Sequence, residues 1–324
     1  MLTLALAGDT MLGRKVGERL EQQGPSGLVA DEVAGLAREA DLFLLNLECC
    51  ISTRGEPWPD PAKPFFFRAP PIAVEALGEL GVDVVTLANN HALDFGPVAL
   101  LDTLEHLAAA GIAAVGAGRD AAAARRTVTL DAGGIRVRVV GVTDHPVDYA
   151  ATESGPGVAY ADVGRGVPGW LADAVAGEDA DVVVVTPHWG PNMVPSPVPG
   201  VRRAADALVA AGADLIAGHS AHVFHGVRFA PETPAVVLYD LGDFLDDYAT
   251  HPQLRNDLGL LWLVTLDGAI PVAVEAVPLR LGYTRTELAE GEHRAWIVAR
   301  LRTACAPLGT TVVDAGDRLR LSPD

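Results

Sequence analysis

The chain has 324 residues, 49% hydrophobic and 20% charged, an ordinary globular mixture with enough length for one large domain or two smaller ones. Its 42 acidic and 24 basic residues leave a formal net charge of −18 and no basic run, which argues against nucleic acid and against docking on an anionic membrane. No window approaches the roughly 18 apolar residues of a membrane span, the N-terminal MLTLALAGDT lacks the basic and long apolar regions of a secretory signal, and Cys49, Cys50 and Cys305 make no disulfide framework. A soluble, cytoplasmic protein without a membrane anchor is the expectation.

In chain order, an apolar strand over residues 2–7 runs into Gly8-Asp9. A helix is predicted over 29–40 and a strand over 42–47 that ends at Glu48. The next helix, 71–80, is stopped by Gly81. The strand over 82–88 ends at Asn89-Asn90-His91, and the helix over 97–110 is stopped by Gly111 before a short strand at 113–115. Residues 128–130 and 135–142 read as a hairpin around 131–134. A buried strand over 181–186 leads to His188, a helix covers 201–211, and 215–217 leads into Gly218-His219. Strands are predicted over 235–241, 260–266 and 272–277. The alternation predicts an α/β fold, and the hairpins suggest a second, mixed sheet.

Two stretches break the rhythm. Residues 52–71 are rich in proline and aromatics and read as a long ordered loop, because Phe65-Phe66-Phe67 argues against disorder. Residues 191–200 are proline-rich and follow the His188 motif. Beyond 283 the pattern changes to an amphipathic helix over 287–305 and a small hairpin from 310–313 and 319–321. Residues 283–324 are therefore read as a C-terminal helical extension packed on a domain of residues 1–282.

The informative polar residues sit just after apolar runs: Asp9, Glu48, Asn90 with His91, His188 and His219. In an open α/β sheet the carboxyl ends of the strands lie side by side and form the ligand site. Carboxylate, amide oxygen and imidazole together suit Mn, Zn or Fe, and a carboxylate between two ions can bridge them. Each residue alone has an ordinary explanation, as a helix cap, a turn former or a packed histidine. Their joint occurrence at successive strand ends points to a metal site, with His222 of GHSAH beside His219. Arg14 and Arg68 are candidates for holding an anionic substrate, since guanidinium grips carboxylate or phosphate bidentately. His106, His145, His251 and His293 read as structural, and His225 has no assigned role.

The motifs, taken together, resemble the CapA family of poly-γ-glutamate capsule synthesis proteins, within the metallophosphoesterase (calcineurin-like) superfamily. They are AGDTMLGR at 7–14, NLE at 46–48, KPFFFRAPP at 63–71, LANNHALDFG at 87–96, VGAGRD at 115–120, HWG at 188–190, GHSAHVFHG at 218–226 and LYDLGDF at 238–244. The resemblance spans about residues 1–280 and leaves the C-terminal forty outside.

The resemblance implies a four-layer αββα sandwich of two mixed sheets and a catalytic domain holding two divalent ions, Mn, Zn or Fe. It implies that Asp9 and His222 bind the first ion, that Glu48 bridges, and that Asn90, His188 and His219 bind the second. His91 would contact the substrate and protonate a leaving group, with Asp94 fixing its orientation. The implied activity is hydrolysis or acyl transfer on a γ-glutamyl or related amide through metal-bound water; a dinuclear phosphoesterase and a non-catalytic polymer-synthesis accessory protein are the alternatives. The implied substrate is a small molecule, peptide or polymer of anionic character. Four departures stand out. Met11 stands where the superfamily has histidine, Glu48 where it has aspartate, GHSAH carries an extra residue between its histidines, as CapA-like sequences do, and Asp243 stands where CapA proteins often have asparagine.

Overall fold

The structure, a computed structural model, describes residues 1–177 and 179–324. Two sheets face each other. The larger takes its centre from Leu2–Thr10, which pairs in parallel with Leu42–Leu47 on one side and antiparallel with Leu258–Asp267 on the other. Val84–Thr86 and Ala113–Val115 extend it in parallel beyond Leu42–Leu47, and Ile270–Gly282 extends it on the opposite side. The smaller sheet has six strands and is parallel through Ile135–Thr143, Val182–His188, Leu215–Ala217 and Val236–Leu238, with antiparallel edges at Val128–Ala132 and Val227–Phe229.

The strand period of two explains the layering. Leu2, Leu4 and Leu6, with Leu42, Leu44 and Val84, point into a core shared with Val137, Val139, Val182, Val184, Leu215 and Val236 of the smaller sheet. The intervening residues face outward. Ala5, Ala7, Phe43, Leu45 and Val85 meet the helices Asp31–Arg38, Ala73–Leu80 and Gly96–Ala109. Val140, Val142, Val183, Val185, Ile216 and Val237 meet Gly169–Ala176 and Pro199–Ala210. Both faces of each sheet are buried, so the strands read as continuous apolar runs rather than alternating ones. The result is helices, sheet, sheet, helices: the αββα sandwich that the motifs imply.

Differences from the predicted elements have local causes. The helix Arg14–Gln23 has no polar N-cap and buries only Val16, Gly17 and Leu20, too little pattern to read from sequence. The predicted helix over 287–305 starts only at Gly291, where φ is +51°. Residues Arg285–Leu288 form a strand instead, pairing with Ile270–Gly282. Helix Gly291–Cys305 seals one end of the intersheet core with Ile297, Val298 and Leu301, and Leu319–Pro323 pairs with Ile270–Gly282 as part of the large sheet. Among the described residues no helix is long and apolar enough to cross a membrane.

Candidate metal centre

The ends of the parallel strands place the polar residues. Asp9 lies opposite Asn46, and Thr10 opposite Leu47, so Glu48 emerges next to Asp9. Val84–Thr86 continues into the loop carrying Asn90 and His91. In the facing sheet, His188 closes its strand and bridges to His219. A short strand, Asp243–Leu245, runs parallel to the end of Leu2–Thr10 and sets Asp243 opposite Asp9. This close approach requires Gly8: a Cβ there would lie 1.7 Å from the Gly242 carbonyl oxygen. The 218–222 turn runs through positive φ at Ser220 (111°) and His222 (57°). Buried Asp240 holds it by accepting the backbone N–H groups of Ala221 and Gly242 at 2.8 and 2.9 Å.

Asp9, Glu48, His222 and Asp243 each offer a ligand atom within 4.8 Å of the others. His222 Nδ1 is 2.9 Å from Asp243 Oδ1 and 3.3 Å from Asp9 Oδ2, and its Nε2 is 3.9 Å from Glu48 Oε1. His219 Nδ1 is 3.5 Å from Asp9 Oδ1, while its Nε2 is held by Thr186 Oγ1 at 2.9 Å. Asn46 Nδ2 donates to Asp9 Oδ1 at 2.7 Å and Asn89 Nδ2 donates in turn to Asn46, so a buried amide chain aims the first acid.

Burial dominates the electrostatics. It pushes the carboxyl groups of Glu48 and Asp243 well above their ordinary range, with neighbouring acids adding to the effect. Asp9 behaves oppositely: burial would raise it, but the His222 imidazole above all, through its hydrogen bond and charge, holds it low. Burial drives His188 far down and His219 to about 4, so both rings are neutral with lone pairs to give. For His222 burial is outweighed by Asp243 and Glu48, which push it well above the ordinary imidazole range.

A divalent ion fits this donor set, as its unsatisfied atoms indicate. Asp9 Oδ2, both Glu48 oxygens, Asn90 Oδ1, both His188 nitrogens, His219 Nδ1 and Asp243 Oδ2 are buried without a hydrogen-bond partner. Buried polar groups are almost always paired, because desolvation without a partner costs about 1–3 kcal/mol each and more for a charge. One cluster holding so many orphans is what a coordinated cation would resolve. Thr186 fixing His219 through Nε2, and Asp243 engaging His222 through Nδ1, are the outer hydrogen bonds that ligand imidazoles normally have.

All six predicted metal residues lie at this edge, and Asp243 joins them. The structure puts His91 over the cluster, its Nε2 3.8 Å from Glu48 Oε1 and its Nδ1 2.6 Å from Asp94 Oδ2. Phe67 stacks on the His91 ring at 4.0 Å. Asp94 also accepts from Phe67 N and Tyr149 OH, and Lys63 Nζ lies 3.0 Å from it and 2.8 Å from the Asn90 carbonyl oxygen. The loop over 52–71 is thus ordered against the site. Arg14, at a φ of +49°, lies 3.2 Å from Asp247 and over the rings of Phe65 and Phe67. Arg68 reaches the carbonyls of Arg54 and Gly55 and packs on Phe95 at 4.1 Å, holding this loop together. His225 is buried with Nε2 on the Val194 carbonyl. Asp243 escaped the strand-end rule because it opens a strand instead of ending one; its only sequence signal was the LYDLGDF motif.

Residues 3–248 match the model of a family described as bacterial capsule synthesis protein PGA_cap. A Mycobacterium tuberculosis protein named "Probable polyglutamine synthesis accessory protein" is 33% identical, covering 98% of this chain and 95% of its own. The PGA biosynthesis protein CapA of Bacillus subtilis is 31% identical, covering 92% of this chain and 80% of its own. Among solved structures, a novel phosphatase from Mycoplasma pneumoniae has a TM-score of 0.54 at 14% identity, covering 86% of this chain and 93% of that one. A hypothetical protein from Thermus thermophilus has a TM-score of 0.52 at 16% identity, covering 87% and 100%. At such identities the likeness concerns the fold, which is of the metallophosphoesterase type.

Proposed function

The chain belongs to the bacterial capsule synthesis protein family PGA_cap, and from that premise we propose that it is a metal-dependent enzyme acting by hydrolysis or acyl transfer on a γ-glutamyl or related amide. The observation that carries the enzymatic part is the buried cluster of unsatisfied carboxylate, amide and imidazole atoms. The amide part comes from the relatives, whose names attach them to PGA and polyglutamine synthesis.

In this reading Asp9, Glu48, His222 and Asp243 would hold one divalent ion, and Asn90, His188 and His219 would hold a second. Such ions, when bound, would supply Lewis acidity toward the scissile carbonyl and lower the pKa of water. The chain's own residues do the rest. His91 keeps a proton at Nδ1 against Asp94, which fixes its ring and leaves the Nε2 lone pair over the cluster to take a proton from the attacking water and then pass it to the leaving nitrogen. Phe67 covers that ring and excludes water from it. Arg14, a third exposed at the start of its helix, takes an anionic group of the substrate beside the 52–71 loop that carries Phe65 and Arg68.

The test pairs metal analysis with turnover. The Mn- or Zn-loaded protein is assayed against γ-glutamyl amides and an aryl phosphate, with His188→Ala as control. Amide turnover lost in the variant is expected. Turnover of phosphate alone would replace the amide reading with a phosphoesterase. Failure to bind metal under any loading condition would leave the accessory role that the mycobacterial relative's name carries.

A further inference from the structure

The strand Ile135–Thr143 ends beside Val182–His188 in parallel register, with Thr143 opposite His188. The next two residues, Asp144 and His145, therefore emerge on the rim that carries His188 and His219, by the same rule that gathers the other strand ends. They are fastened there. One Asp144 oxygen accepts the Gly190 N–H at 3.0 Å and the other meets His145 Nδ1 at 2.5 Å. The Asp144 N–H donates to the His188 carbonyl, and Thr143 Oγ1 donates to the His145 carbonyl.

The His145 ring centre is 5.2 Å from that of His188, and its side chain is 33% exposed whereas His188 is sealed. The arrangement matches that of His91 and Asp94 on the other wall, where Nδ1 is likewise tied to a carboxylate. With Nδ1 held by Asp144, Nε2 is the nitrogen left free to meet a ligand.

We infer that His145 is a substrate-contacting residue whose Nε2 accepts the N–H of the substrate amide on the His188 side of the centre. The inference rests on the amide reading above and narrows it: the substrate class is a secondary amide, and an ester of the same acid loses this bond. His145 and His91 then address the substrate from opposite walls, one from each sheet.

Two probes test it. γ-Glutamylglutamate and the isosteric ester, in which oxygen replaces the N–H, are titrated calorimetrically into the manganese-loaded full chain and into His145→Ala and His145→Gln, with metal content measured in each. The wild type is expected to prefer the amide. His145→Ala should weaken the amide about tenfold, the worth of one hydrogen bond, and leave ester binding and metal content unchanged. His145→Gln, which keeps an acceptor, should recover part of the loss. Equal effects on both probes, no effect on either, or loss of metal in His145→Ala would overturn the inference while the amide reading stands. A wild type that holds metal and binds neither probe would overturn the amide reading and this inference with it.

Discussion

His222 Nδ1 stands 2.9 Å from Asp243 Oδ1, and the turn that brings it there passes through a left-handed φ of 57° at His222 itself. The carboxylate both orients the imidazole and presents a second oxygen, Oδ2, that has no partner. Asp243→Ala should therefore lower metal affinity about 10–100-fold, and Asp243→Asn less, because the amide keeps an oxygen. Competition titration with a chromogenic chelator measures both. Unchanged affinity in the alanine variant would remove Asp243 from the centre.

Metal removal should destabilise the fold. A ligand at one hundred times its Kd stabilises by about 2.7 kcal/mol, which in a chain of this size moves Tm by about 5 °C. Scanning calorimetry before and after chelation should show a drop of that order, restored by adding the ion back. Coincident transitions would mean that the buried acids neutralise themselves by protonation instead.

His225 makes a separate pH prediction. Burial holds it at about 4 against an ordinary 6.5. A histidine depressed in the folded state contributes stability that is fully present above the unfolded value and is lost as pH falls. The loss for His225 runs between about pH 6.5 and 4 and totals about 3 kcal/mol. His225→Gln should flatten the fall in denaturant midpoint across that window relative to wild type, whatever it does at pH 8. Parallel curves for the two proteins would show that His225 titrates normally.

Lys63 ties the 52–71 loop to Asp94 and to the Asn90 carbonyl from a nearly buried position. Lys63→Met keeps the stem and removes the charge. It should cost about 2 kcal/mol in chemical denaturation and leave Asp94 to the His91 ring, the Tyr149 hydroxyl and the Phe67 N–H. Metal content should hold. A variant as stable as wild type would show that the aromatic contacts alone seat the loop.

Two glycines give opposite expectations. Gly8→Ala drives a Cβ into the Gly242 carbonyl and should cost about 4 kcal/mol or more, or prevent folding. Gly35 lies in helix Asp31–Arg38, and a methyl added there would meet nothing within 4 Å, so Gly35→Ala should stabilise by about 0.5–1 kcal/mol. Thermal melts of the pair separate the effect of close backbone approach from that of helix propensity.

Much of this was legible in the sequence, for identifiable reasons. Strands buried on both faces appear as unbroken apolar runs, so their ends, and hence Asp9, Glu48, Asn90, His188 and His219, stand out. Helix Arg14–Gln23 did not, because charged residues dominate it and Arg14 enters it from positive φ. Asp243 carries no strand-end signal. Asp144 and His145 do carry one, after the run ending at Thr143, but a histidine following an aspartate and preceding a proline looks like loop chemistry until its neighbour His188 is seen in space.

The first strand has a consequence for how the chain is made. Leu2–Thr10 is synthesised long before the partners on one of its edges, Leu258–Asp267 along its length and Asp243–Leu245 at its last residues. Until those segments are synthesised, Asp9 and Glu48 belong to an open half-sheet and remain hydrated. Biosynthesis thus orders the events: the acids wait in water, the second sheet arrives with His188 and His219, and the centre closes when the late strand docks against the earlier one. Truncations that stop short of that strand should leave nascent chains with an unpaired central edge, a substrate for chaperones and for aggregation alike.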